Sequence, residues 1–215
     1  MKSPSDVDIV FADMQDAFKE LSLARSSPKQ VRRAFSRSIE LTQRLTSVMR
    51  RESKAKAGIE WRASEYTGWN DVTALFKDLR NEEQHERQIR VSVHETRYYE
   101  PFGSGGGEIA VSGTWELTDQ LAEKPPDGLR LVESDPNTGI PTSNQIPHCG
   151  ISYRYVIQPQ DARLVSRLQA IGTADIHELS HRCFTVLEAY HTFFRTRMSE
   201  AQRLSPEIHV RRLLS

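Results

Sequence analysis

The sequence predicts an α+β protein, a helical bundle of about four main helices interrupted by a small antiparallel β-sheet. Apolar residues recur at helical spacing from Val7 to Leu79 and again after Asp161. Around Arg90 the period changes to two: Ile89, Val91 and Val93 are apolar while Arg90, Ser92 and His94 are polar. The breaks that follow, GSGGG at 103–107 and Pro125-Pro126-Asp127-Gly128, suit hairpins rather than crossovers. The bundle is therefore expected over 1–88 and 159–215, with the sheet inserted at 89–158. A chain of 215 residues can bury one core and carry such an insertion.

Ser5-Asp6 can cap a first helix that buries Val7, Val10, Met14, Phe18 and Leu21 and ends near Ser26. Ser27-Pro28-Lys29-Gln30 combines a capping serine, a proline at the first helical position and a glutamine three residues after the cap. The second helix turns Val31, Phe35, Ile39, Leu45 and Val48 inward and runs to about Lys54. Trp61, Tyr66 and Trp69 should fold back onto these helices, and Asn70-Asp71 caps a third helix. Strands are expected at 89–99, 108–117, 128–133 and 151–157, with a loop from Ser134 to Pro147. A helix then starts at Asp161, breaks at Gly172 and resumes through Leu179, Cys183, Leu187, Tyr190, Phe194 and Met198. Ser205-Pro206 should end it, leaving a short amphipathic tail.

Twenty-nine basic residues balance twenty-nine acidic ones, so no global attraction to nucleic acid or membrane follows from charge. The asymmetry is local. Nine bases between Lys29 and Lys56 face only Glu40 and Glu52, while acids gather at 82–86 and 116–136. Cys149 and Cys183 are too few for a disulfide framework and belong to no paired-cysteine metal motif. They read as reduced thiols in or near the core of a cytoplasmic protein. The first residues carry acids where a leader needs an apolar run, and no stretch reaches the length of a membrane span.

The third helix holds the most informative run, LRNEEQHERQ at 79–88. Val72, Leu75, Phe76 and Leu79 form a clean stripe, which calls for apolar residues near 83 and 86; Glu83 and Glu86 stand there instead. Within this polar run, Asn81 and His85 share a helical face, whereas Arg80 and His85 are turned roughly 140° apart on a straight helix. A bend, or a second copy of the helix from a dimer partner, would bring them together. Cleaving RNA with its own 2′-hydroxyl requires a proton acceptor, a proton donor and positive charge on the phosphate. Histidine and arginine supply these without a metal.

Arg80-Asn81-Glu82-Glu83-Gln84-His85 inside a helical bundle resembles the signature of the HEPN superfamily, an arginine and a histidine with four to six residues between them and a polar residue directly after the arginine. The resemblance implies a dimeric, metal-independent endoribonuclease, commonly a toxin or an antiviral effector. Arg80 and His85 would be its active-site pair, Asn81 would orient them, and no cofactor would be needed. RNA, a second copy and a neutralising protein are the partners implied, with no membrane. Arg33, Arg37, Arg44 and Arg51 form a stripe along the second helix that would track RNA phosphates. Alternatively, the polar and basic helices form an interface in a non-enzymatic regulatory protein.

His177-Glu178-Leu179-Ser180-His181 is a literal HExxH that sets two imidazoles on one helical face, as zinc peptidases require. Against that reading, Arg182 directly follows, and Leu187 occupies the place of a metzincin's third histidine. GSGGG opens no helix and so lacks the form of a phosphate-cradling loop. His148-Cys149 has no partners at metal-ligand spacing.

Overall fold

The computed structural model describes residues 5–84, 89–99, 109–117, 130–134, 141–145 and 149–213. Helices α1 (Asp6–Leu23), α2 (Pro28–Ala57) and α3 (Asp71–Gln84) come first, with a single 3₁₀ turn (Ala63–Glu65) before α3. Five strands follow: β1 (Arg90–Tyr99), β2 (Ile109–Leu117), β3 (Arg130–Ser134), β4 (Pro141–Gln145) and β5 (Gly150–Gln158). The chain closes with α4 (Ala162–Ile171) and α5 (Ile176–Leu213). This is an α+β fold in which a helical bundle receives a small antiparallel sheet between its third and fourth helices. At 38 residues, α5 extends about 57 Å and is the spine of the bundle.

Local chemistry sets the helix ends. Ser5 caps α1 in a reciprocal box with Asp8: the serine hydroxyl accepts the Asp8 amide, and the Asp8 carboxylate accepts the Ser5 amide. Asn70 caps α3, its side-chain oxygen accepting the amides of Val72 and Thr73 at 3.1 and 3.3 Å. Helix α2 departs from expectation. Pro28 is at its start, but the Ser27 side chain makes no capping bond, so the proline's fixed φ is what begins the helix. Gly58 and Gly172 end α2 and α4 at φ of 65° and 80°, a left-handed turn that residues with a Cβ rarely adopt.

The helical stripes meet in one core. Phe76 of α3 contacts Phe18 of α1 and Phe35 of α2, with ring centroids 6.2 and 5.8 Å apart. Leu79, Leu179, Cys183 and Leu187 are all fully buried in the same cluster. Trp61 folds back onto α5, donating its indole Nε1–H to the Tyr190 hydroxyl at 2.7 Å. It packs edge-on against Phe194, and Tyr66 and Trp69 also close on Tyr190.

The sheet belongs to that core through one end. Its strand order is β2-β1-β5, antiparallel throughout, with Val91 opposite Leu117 on one side and Ile157 on the other. Val91, Val93, Tyr155 and Ile157 join the helical cluster, and the Tyr155 hydroxyl donates to the Arg25 carbonyl. Further along the same face of β1 the residues become Glu95, buried and paired with Arg97. The opposite face carries His94, Thr96 and Tyr98, bonded across strands to Thr114, Ser112 and Ser152.

Three expectations need correction. The segment from Ser134 to Pro147 is not all loop: it contains β4, paired with β3 in a separate two-stranded sheet. PTSNQ has little strand preference, so backbone pairing makes it a strand, and Pro141 at its first position withholds no needed donor. Helix α5 does not stop at Ser205-Pro206 but continues to Leu213. A proline removes one amide from the ladder, and helix-favouring residues on both sides carry the helix across it. Cys149 is not a core thiol: it is exposed, with its S–H donating to the Tyr98 carbonyl.

Candidate functional site

Helix α3 nears its end with Leu79 buried under the bundle, so the backbone there is anchored. Arg80 is partly exposed and Asn81 is exposed. Among the described residues Arg80 makes no ion pair. Its neighbourhood is otherwise well paired. Arg167 of α4 bridges Asp71 and Asp78 of α3 at 2.8 and 3.3 Å, and Arg163 approaches Asp78 at 3.9 Å. One face of α3 is thus stapled to α4 while Arg80 and Asn81 stay available. His85 lies outside the described residues, as do GSGGG at 103–107 and His148.

The basic stripe on α2 divides. Arg37 pairs with Glu20 at 3.3 Å and Arg51 with Asp6 at 2.8 Å, both across to α1 and both well exposed. Exposed pairs of this kind contribute about 0–1 kcal/mol, weak enough to exchange for a phosphate. Arg33 and Arg44 are exposed and meet no carboxylate among the described residues.

The HExxH run forms the first turns of α5. Asp175 caps it, its carboxylate accepting the His177 and Glu178 amides at 2.9 and 3.1 Å. His177 is half-buried with Nε2 against the Leu21 carbonyl at 3.1 Å, so that nitrogen carries the proton and donates. Burial holds the His177 pKa below the ordinary histidine value, and Asp175 only partly opposes this. Glu178 turns away, accepting from Thr173 and pairing with Arg182. His181 is exposed. Among the described residues no three histidines, cysteines or acids gather as a metal would require.

No protein-family model, curated protein or solved structure matches this chain.

Two arrangements escaped the sequence reading. His177 and His181 share a cleft of about 330 Å³ with Lys19 of α1 and Arg25 in the turn that follows it. Gln15 and Lys19 are one helical turn apart and share a face of α1, but Arg25 lies past the helix end, so no helical spacing could have joined it to them. The other is a polar latch at the far end of α1. Glu52, 7% exposed, accepts the Val7 amide at 3.4 Å and pairs with Lys56 at 2.9 Å and Arg195 at 3.6 Å. Beside it, Asp8 approaches Arg195 at 3.6 Å and His191 at 3.5 Å. The His191 ring stacks on Phe11 with centroids 3.9 Å apart, and burial again lowers its pKa, with Asp8 opposing. Nothing in the spacing of Asp8, Glu52, His191 and Arg195 signals that they meet.

Proposed function

We propose that the chain is a metal-independent endoribonuclease of HEPN type, acting as a homodimer, with Arg80, His85 and Asn81 as its site. The observation that carries this reading is the state of Arg80. It sits near the end of a bundle helix, anchored by Leu79 and partly exposed, with no carboxylate partner among the described residues. The neighbouring Arg163 and Arg167 are both committed to Asp78.

In the proposed reaction the 2′-hydroxyl of RNA attacks the adjacent phosphate. His85 of one copy takes the hydroxyl proton and His85 of the other returns a proton to the departing 5′-oxygen, leaving a cyclic phosphate and a 5′-hydroxyl. Arg80 neutralises the charge that builds on the phosphate oxygens, and Asn81 orients the histidine. Arg33 and Arg44 would meet the RNA backbone first, with Arg37 and Arg51 exchanging their α1 partners for phosphates. The acidic part of the insertion would bind a neutralising protein or govern access of the substrate, as suits a toxin or antiviral effector working in the cytoplasm.

The test is incubation of total RNA with purified wild type, Arg80→Ala and His85→Ala, with and without EDTA. The proposal expects breakdown that survives EDTA and disappears in both variants. Intact RNA beside a folded wild-type dimer would instead mark the end of α3 as a protein-binding surface.

A further inference from the structure

We propose that the cleft between α1 and α5 binds a small organic phosphate that carries an aromatic ring, a molecule of nucleoside monophosphate size. Its volume of about 330 Å³ lies within the range of ligand pockets. Its walls are of two kinds. Phe18, Leu21 and Phe184 supply apolar surface, with the two phenylalanine rings tilted against each other at 5.2 Å. A flat ring finds its natural contact there. Lys19 and Arg25 supply positive charge, and among the described residues no carboxylate lines the cleft. At the start of α5 the acids are occupied, Glu178 by Arg182 and Thr173, and Asp175 by the helix cap and Arg154.

The second observation is Ser180, which lines the same cleft. It is 3% exposed and its Oγ has no hydrogen-bond partner. A hydroxyl buried within a helix ordinarily donates to the carbonyl one turn back. Thr185, Thr192 and Thr196 of the same helix all do so. Ser180 departs from its own helix's habit, leaving an orphan hydroxyl at the cleft wall, where a ligand oxygen would complete it. With His177 already donating to Leu21, the exposed His181 is the imidazole left for the ligand. A metal cation is disfavoured here by Lys19 and Arg25, whereas a phosphate is drawn by them.

The full-length protein would be titrated calorimetrically with adenosine monophosphate and with phenyl phosphate, using adenosine and inorganic phosphate as controls. Saturable binding of at least one ring-bearing phosphate is expected, with each control weaker by about tenfold or more. Lys19→Ala/Arg25→Ala should weaken it by about tenfold or more, and Ser180→Ala by severalfold without lowering the melting temperature. Lys19 and Arg25 are exposed, so their removal leaves the fold intact. No saturable binding of either probe below about 10 mM would overturn the proposal. So would binding that survives the double variant, or binding that disappears only in Arg80→Ala, which would locate the phosphate at the end of α3. Because the readout is binding rather than cleavage, its failure is separable from failure of the ribonuclease reading.

Discussion

Replacing Tyr190 by phenylalanine removes one oxygen from the centre of the bundle and keeps the ring. The Trp61 indole N–H, on a side chain 3% exposed, then loses the acceptor it holds at 2.7 Å. A buried donor left without a partner costs about 1–3 kcal/mol, and the mid-range of about 2 kcal/mol lowers the melting temperature of a domain this size by about 4–8 °C. Packing barely changes, because Phe194 still meets the indole edge-on and Trp69 still meets the residue-190 ring. Urea denaturation followed by tryptophan fluorescence gives the stabilities of wild type, Tyr190→Phe, Trp61→Phe and the double variant. The double variant should be less destabilised than the sum of the singles by about 1 kcal/mol, since both remove one hydrogen bond. Costs that simply add, or a Tyr190→Phe protein within about 0.5 kcal/mol of wild type, would refute the claim that this bond fastens residues 58–70 to α5.

Other consequences follow from the caps, the buried imidazoles and the thiols. Asn70→Ala should cost about 1 kcal/mol, while Asn70→Asp, which keeps a capping oxygen, should cost much less; equal losses would contradict the capping role. His177 and His191 both have folded pKa values below the unfolded value of about 6.5, so the unfolded chain binds more protons as pH falls. Their contribution is complete above about pH 6.5 and is lost as pH drops through the folded values. Urea titrations between about pH 7 and 5 should show His177→Gln and His191→Gln flattening that decline, and slopes identical to wild type would refute it. Cys183 is fully buried with its thiol pKa pushed far up by desolvation, whereas Cys149 is exposed. A thiol reagent should find one reactive cysteine in the native protein and the second only in denaturant; immediate reaction of both would contradict this burial.

Periodicity made the bundle legible because its helices are amphipathic in the simplest way. Val7, Val10, Met14, Phe18 and Leu21 are all buried, as their spacing requires. The alternation that starts at Ile89 likewise marked β1 through Val91 and Val93. It failed at Glu95, an acid on the inward face whose burial depends on Arg97 and on no pattern of apolar residues. Strand β4 was hidden because strand formation there rests on backbone pairing with β3. Glu52 read as one of two acids facing a basic helix and is instead an interior anion, since its partners Val7 and Arg195 come from both ends of the chain. The cleft was half visible: the histidine spacing of HExxH is real, but the meaning of Ser180 depends on a hydrogen bond it does not make.

The antiparallel pairing of β1 with β5 puts Arg90 directly across from Gln158. The chain thus leaves the bundle and returns to it through neighbouring positions, about 4.8 Å apart as paired strands are. β1 and β5, which also face each other at Glu95 and Tyr153, form a stem whose base is locked into the core by Val91, Val93, Tyr155 and Ile157, with β2 flanking β1 down to Leu117 opposite Val91. To the helices, whatever lies past that stem has the length of a tight turn. Natural variation could lengthen, shorten or exchange it with little strain on the bundle, and an engineer could graft a reporter there.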